Sequence, residues 1–158
     1  MVMLASMSAL APNVFPTPKP SDRIEKNWVA VLRELPLFEG IPNRHLRRIP
    51  ARVRRFGADE RIVRAGDPGN AFYVILDGEV RVKPPRRRAV VLIAGDYFGE
   101  MALLDGAPRS ADISAVGEVT TMVIGRAAFA KLVRSEPQMA AVLLRTLARR
   151  LRAAQEQY

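Results

Sequence analysis

The chain has 158 residues, 49% of them hydrophobic, and a formal net charge of +9. This size and composition predict one packed domain, and the lack of cysteine excludes disulfides and thiolate chemistry. No apolar run reaches the ~20 residues of a membrane span, and no basic residue precedes Lys19 to begin a secretory signal. We therefore expect a cytoplasmic protein. The positive charge favours an anionic ligand or partner, although codon composition explains the many arginines equally well.

Residues 1–20 are predicted to form a flexible, proline-rich tail. Four prolines occur there at a density that neither helix nor sheet accepts: Pro12, Pro16, Pro18 and Pro20. The alternative is that the apolar residues of this tail dock onto the domain or onto a partner. The domain itself is assigned to residues 21–158.

Residues 21–55 are predicted to form N-terminal helices. Ser21 or Asp22 can cap the first, whose apolar stripe is Ile24, Trp28, Val31, Leu32 and Leu35. A second helical stretch has three apolar residues at helical spacing, Leu46, Ile49 and Val53, with Pro50 as a kink or restart. Six arginines between residues 44 and 55 predict a solvated face. A binding surface for an acidic partner is the alternative.

Residues 56–125 show short strand patterns separated by glycine-containing turns. Strands are predicted at residues 61–64, 71–76, 79–82, 89–93, 110–116 and 118–124. Many short antiparallel strands favour a closed roll or jelly roll. The predicted fold class is therefore α+β, mainly β, with an antiparallel β-roll or jelly roll between N-terminal and C-terminal helices.

Residues 126–158 are predicted to form two helices, and Pro137 suits the first turn of the second. The apolar stripe of that last helix is Met139, Leu143, Leu147, Leu151 and Ala154. Arg150 falls within this stripe, so its charge needs a partner such as Glu100 or a bound phosphate or purine. The alternative is that Arg150 snorkels to water.

The segment from residue 98 to residue 111 has the groups needed to hold a sugar phosphate. Gly99 permits close approach of the backbone to a ligand, and Glu100 can accept hydrogen bonds from ribose hydroxyls. The guanidinium of Arg109 matches two phosphate oxygens. The simpler alternative is a strand end and a tight turn, with Glu100 and Arg109 as a surface ion pair.

The order of residues in this segment resembles the phosphate-binding cassette of the cyclic nucleotide-binding domain family. The matching residues are Phe98-Gly99-Glu100-Met101-Ala102-Leu103 and, after a short turn, Pro108-Arg109-Ser110-Ala111. The resemblance extends over residues 35–155 and implies a hinge and a lid in the C-terminal helices. It implies that Arg109 binds the exocyclic phosphate and Glu100 the ribose 2′-hydroxyl. The other ligand-site residues that it implies are Phe98, Gly99, Met101, Ala102, Leu103, Ser110, Ala111, Val82, Val90, Arg150 and Gln155.

Catalysis is not expected, because the one histidine, His45, lies beside arginines and no triad or phosphate loop is present. We expect a stand-alone cyclic nucleotide sensor, with cAMP favoured over cGMP as ligand and no metal. An effector protein or a homodimer would receive the signal, and no specific nucleic-acid binding is expected. The alternatives are a ligand-independent interaction module, the sensing part of a transcription regulator without its DNA-binding domain, and the regulatory part of a channel or kinase on another chain.

Overall fold

The computed structural model describes residue 24 and residues 26–156. The predicted flexible tail, the caps at Ser21 and Asp22, and the last two residues of the chain lie outside this part. Within it, eight strands form two antiparallel sheets, with helices before the first strand and after the last, which confirms the predicted fold class.

Two short helices and a 3-10 helix precede the strands. They are α1 (Trp28–Arg33), the 3-10 helix Pro36–Phe38, and α2 (Asn43–Leu46). Prolines at positions 36 and 42 keep these elements short, because proline cannot continue a preceding helix. Their buried apolar residues anchor them in the core: Leu32, Leu37, Phe38 and Leu46.

The predicted second N-terminal helix is wrong beyond Leu46. Residues after Pro50 form strand β1 (Ala51–Phe56), which pairs antiparallel with the last strand, so that Val53 lies opposite Met122. Proline at position 50 disfavours a helical conformation of the residue before it. In this strand Ala51 and Val53 are half-buried and Phe56 is buried. The three arginines, Arg52, Arg54 and Arg55, are exposed. The sheet region therefore begins at residue 51 rather than 56.

Six of the other seven strands agree with the predicted segments, and the exception is the short strand at residues 97–98, which the sequence patterns do not predict. The seven strands are β2 (Arg61–Val63), β3 (Ala71–Asp77), β4 (Glu79–Lys83), β5 (Val90–Ile93), β6 (Tyr97–Phe98), β7 (Asp112–Ala115) and β8 (Val119–Gly125). One sheet has the order β1-β8-β3-β6 and the other has the order β2-β7-β4-β5. The chain crosses between the sheets repeatedly, which places the segment from β6 to β7 at one end of the roll.

Strand β3 is buried on both faces. Because side chains alternate along a strand, Phe72, Val74 and Leu76 join a core cluster beneath the helices, whereas Tyr73 and Ile75 join a second cluster between the sheets. The aromatic ring of Phe72 lies 4.8 Å from that of Phe129. This strand is therefore the common wall of the two cores.

Three helices complete the structure. Helix α3 (Glu100–Asp105) lies between β6 and β7, and α4 (Arg126–Ser135) and α5 (Pro137–Gln155) follow β8. Glu136 separates α4 from α5, and its buried carboxylate accepts a 2.8 Å contact from Nδ1 of His45. His45 thus ties the N-terminal helices to the junction of the C-terminal helices.

Candidate functional site

Gly99 sets the geometry of the cassette. It joins β6 to α3 with a φ of +90°, a left-handed conformation that favours glycine. A Cβ at this position would lie 2.7 Å from Nη1 of Arg109 and 2.8 Å from the carbonyl oxygen of Ala71. Glycine is therefore required both for the backbone conformation and for the space that Arg109 occupies.

The side chain of Arg109 points into the domain and is only 9% exposed. Its Nη1 donates to the carbonyl of Gly99 at 3.0 Å, and its Nη2 donates to the carbonyl of Ala71 at 2.8 Å. The guanidinium also lies 6.0 Å from the centre of the Tyr73 ring. Burial lowers the pKa of Arg109 from its ordinary value, and a guanidinium remains charged at neutral pH. The result is a fixed cation at the end of the roll.

The turn before β3 holds Arg109 from the other side. The backbone N–H of Arg109 donates to the carbonyl of Asp67 at 2.8 Å, and the N–H of Gly66 donates back to the carbonyl of Arg109 at 2.9 Å. A Cβ on Gly69 would lie 2.4 Å from Cβ of Ala102 and 3.1 Å from Cζ of Arg109. The missing side chain of Gly69 therefore lets this turn, α3 and Arg109 pack together.

Glu100 is the most deeply buried carboxylate of the cassette, with 1% of its surface exposed. Nη1 of Arg150 donates to its Oε1, and Nη2 of Arg150 donates to the carbonyl of Tyr97 at 3.3 Å. Burial raises the pKa of Glu100, while the charge of Arg150 opposes that rise. The predicted pairing of Arg150 with Glu100 is confirmed.

These contacts contradict the simpler interpretation of the segment. Glu100 and Arg109 do not form a surface ion pair, because both are buried and each has its own partners. Arg150 also lies 5.6 Å from the centre of the Tyr97 ring, which is itself buried. The cassette is thus joined to α5 by the ion pair of Arg150 with Glu100, and the guanidinium of Arg150 lies near the ring of Tyr97.

The face of α5 that covers the domain differs from the predicted stripe at Leu151. Met139 and Leu143 are buried and Arg150 is half-buried, whereas Leu151 is 61% exposed. Three steps of four residues rotate a side chain by about 120° from the starting position, which carries Leu151 away from Met139. Leu144, 68% exposed, lies one heptad before Leu151 on the solvent face.

The structure places the remaining predicted residues unevenly. Phe98 is buried and stacks on Tyr73, with ring centres 4.8 Å apart, and half-buried Val82 lies across the strand pair from exposed Val90. The other members are buried Ala102 and Ala111, half-buried Leu103, and exposed Met101, Ser110 and Gln155. Gly99, Glu100, Arg109 and Arg150 are the predicted residues that the described contacts bring together.

Sequence reasoning missed three contributors to this site. Ala71 acts through its carbonyl, Gly69 through the absence of a side chain, and Tyr97 as the ring beneath Arg150. A backbone carbonyl leaves no signal in the sequence. Gly69 does have one, since it ends the run Gly66-Asp67-Pro68-Gly69, but a turn alone accounts for that run.

In the described part of the chain, no group of three or more histidine, cysteine or carboxylate side chains is placed to hold a metal ion. No helix in residues 24 and 26–156 combines the length and the apolar character needed to cross a bilayer.

Comparison with known families decides the class of the chain. The family model of the cyclic nucleotide-binding domain matches residues 53–136, more than half of the 158 residues. The chain belongs to the cyclic nucleotide-binding domain family. The matched region begins in β1 and ends at Glu136, so it contains the cassette and α4.

Known relatives carry this domain as part of larger proteins of different kinds. The cyclic nucleotide-gated potassium channel mll3241 of Mesorhizobium japonicum is 36% identical over 131 residues, which is 82% of this chain and 36% of the channel. The cAMP-dependent protein kinase regulatory subunit of Emericella nidulans is 36% identical over 116 residues, 66% of this chain and 26% of that protein. The chain therefore spans about a third or less of these two relatives.

The crystal structure of the Thermus thermophilus catabolite activator protein superposes with a TM-score of 0.67 and 32% identity. The match covers 77% of this chain and 61% of that one. The cyclic nucleotide-binding domain is a regulatory fold, and these relatives are a potassium channel, a kinase regulatory subunit and a catabolite activator protein.

Proposed function

We propose that the chain is a stand-alone cytoplasmic sensor that binds a cyclic nucleotide, with cAMP favoured over cGMP, and converts binding into movement of α5. The observation that carries this proposal is the pair of buried charges on either side of Gly99. Arg109 is held by two backbone carbonyls, and Glu100 is held by Arg150 of α5. A buried cation and a buried carboxylate suit the phosphate and the ribose of one ligand.

Arg109 is proposed to bind the cyclic phosphate. A guanidinium has five N–H donors, and the carbonyls of Gly99 and Ala71 engage one on each terminal nitrogen. The remaining donors can face phosphate oxygens without releasing those carbonyls. Backbone contacts hold the guanidinium in place before the ligand arrives, so little ordering cost remains at binding.

Glu100 is proposed to link the ligand to α5. A carboxylate offers about four acceptor sites, so Glu100 can accept from a ribose hydroxyl while Oε1 still accepts from Arg150. Because the ribose hydroxyl and Arg150 would both hold the same buried carboxylate in one position, a ligand that orders Glu100 also favours its contact with α5. The helix then closes as a lid, with α4 and Glu136 as the hinge, which is a population shift toward the closed state.

The remaining proposed contacts complete the pocket. Backbone and side chains of the cassette would surround the phosphate, namely Phe98, Gly99, Met101, Ala102, Leu103, Ser110 and Ala111. Val82 and Val90 would border the apolar side, and Gln155 would approach the base. We propose cAMP first because the Emericella nidulans relative is a cAMP-dependent kinase subunit.

Two types of partner are proposed to receive the signal. An effector protein is one, and a second copy of the chain is the other. Leu144 and Leu151 form an exposed apolar pair about 100–120° around α5 from Arg150, so one face of the helix can cover the ligand while this neighbouring face meets another helix. Sedimentation of the chain and of a Leu144→Ser, Leu151→Ser variant tests the homodimer, which we expect to dissociate in the variant. An unchanged sedimentation coefficient would contradict it.

Isothermal titration of the purified chain with cAMP and cGMP tests the binding function. We expect one site per chain, tighter binding of cAMP, and about a 100-fold loss in Arg109→Ala, since charge-assisted hydrogen bonds contribute about 1.5–3 kcal/mol each. Arg33→Ala is the control, because Arg33 is an exposed arginine at the end of α1. Its affinity should fall less than about fivefold. Absence of binding by the wild type would instead support a ligand-independent interaction module.

A further inference from the structure

A cavity of about 370 Å³ lies away from the cassette, between α1 and strands β1 and β8. Trp28, Ala51, Arg52, Val53 and Met122 line it. Trp28 packs against the helical side of the core, and Met122 is completely buried. The cavity thus has an apolar floor with an exposed arginine among the residues that line it.

Strand β1 is an edge strand. It pairs with β8 on one side, and no other strand in residues 24 and 26–156 pairs with its second side. Three consecutive residues of β1 line the cavity. Trp28, Ala51, Val53 and Met122 belong to the core cluster beneath the helices, so the cavity lies on that face of β1, beside its edge. An unpaired edge offers backbone groups to an extended peptide.

The charge carried by β1 and by the segment before it has one sign. Residues 41–56 contain six arginines and neither aspartate nor glutamate. Arg52 and Arg54 share one face of β1 by strand alternation, and Arg44, Arg47 and Arg48 are exposed shortly before it. A partner that meets this edge therefore gains most from carboxylates placed at every second residue, which is the spacing of one face of a strand.

We propose that the edge of β1 and its cavity form a docking site for an extended, acidic segment of a partner protein. The segment adds along β1, places an apolar side chain against Trp28, and presents carboxylates to Arg52 and Arg54. A polypeptide fits better than a nucleic acid, because Trp28 is half-buried in the core and its ring is not free to stack on a base. This surface is separate from the cassette, so the inference does not depend on the nature of the ligand.

Trp28 is the only tryptophan of the chain, so its fluorescence reports on this cavity alone. The probe is an octapeptide of alternating glutamate and valine, titrated into the full chain. The comparison probes are the lysine–valine octapeptide and a single-stranded oligothymidine of equal charge. We expect a saturable change of Trp28 emission with the acidic peptide and none with the lysine peptide.

Arg52→Ala should weaken the acidic peptide about tenfold, the effect of one charge-assisted hydrogen bond. The matched control is Arg81→Ala, an exposed arginine on β4 in the other sheet, which should change affinity less than about threefold. Equal losses of affinity in the two variants would show that the peptide binds by general charge attraction, and this would overturn the proposal. No saturable change with the acidic peptide, or tighter binding of oligothymidine, would also overturn it.

Discussion

At the scale of single residues, the cassette depends on two charges that the fold removes from water. Arg109 keeps its charge by donating to the carbonyls of Gly99 and Ala71, and Glu100 keeps a partner in Arg150. Burial of a charge is costly unless it is hydrogen-bonded. The chain accepts that cost at two positions of the same segment, which is typical of a site rather than of a structural turn.

Acidification should reveal the cost of burying Glu100. Burial raises the pKa of this carboxyl above its ordinary value of 4.5 in the folded chain. Between these two pKa values the folded state binds a proton that the unfolded state does not, so falling pH favours folding at this site. We expect Glu100→Gln to gain stability relative to wild type above the raised pKa, and this advantage to shrink as pH falls toward 4.5.

Urea unfolding of wild type and Glu100→Gln across that pH range measures the effect. The informative quantity is the pH dependence of the difference in the free energy of unfolding, because loss of the Arg150 contact alone shifts it by a constant amount. A difference that grows on acidification would contradict a raised pKa.

At the scale of secondary-structure elements, the cassette forms because three segments pack closely at glycines, which have no side chain to separate them. The turn before β3, helix α3 and the strand end at Gly99 converge on Arg109. Close packing of this kind tolerates little added volume.

Gly69→Ala tests this convergence. The added Cβ would lie 2.4 Å from Ala102 and 3.1 Å from Arg109, so we expect a loss of about 1–3 kcal/mol in the free energy of unfolding and weaker cAMP binding. Gly117→Ala is the control, since a Cβ there meets no atom within 4 Å. Thermal unfolding and titration of both variants provide the measurement, and equal behaviour of the two would refute the role of Gly69.

The sequence predicts the elements well where local chemistry decides them. Both C-terminal helices and the strands after residue 56, except the two-residue β6, follow from alternation, glycine turns and Pro137. Strand β1 was mistaken for helix, because Leu46, Ile49 and Val53 fit a helical period and only pairing with β8 makes residues 51–56 a strand. Contacts across the chain are harder still. Arg150 and Glu100 were paired correctly because a charge on an apolar stripe needs a partner, but nothing local connects His45 with Glu136.

At the scale of the whole molecule, the cassette contacts α5, and the start of α5 contacts the N-terminal helices. Helix α5 reaches Glu100 through Arg150, and Glu136 at its start is held by His45 of the N-terminal helices. A shift of the cassette would therefore reach α5 through Arg150, and a shift at Glu136 would reach α2 through His45. Because both contacts involve α5 or the residue at its start, movement of α5 is the response to measure when ligand binds.

Hydrogen exchange of the backbone amides with and without saturating cAMP tests the sensor most directly. We expect slower exchange in the second half of α5, around Arg150, and unchanged exchange in β3 and β8 at the centre of the sheet. Arg150→Ala should bind cAMP but lose the slowing, whereas Arg149→Ala, an exposed neighbour, should retain it. Binding of cAMP without any change in the protection of α5 would contradict the account.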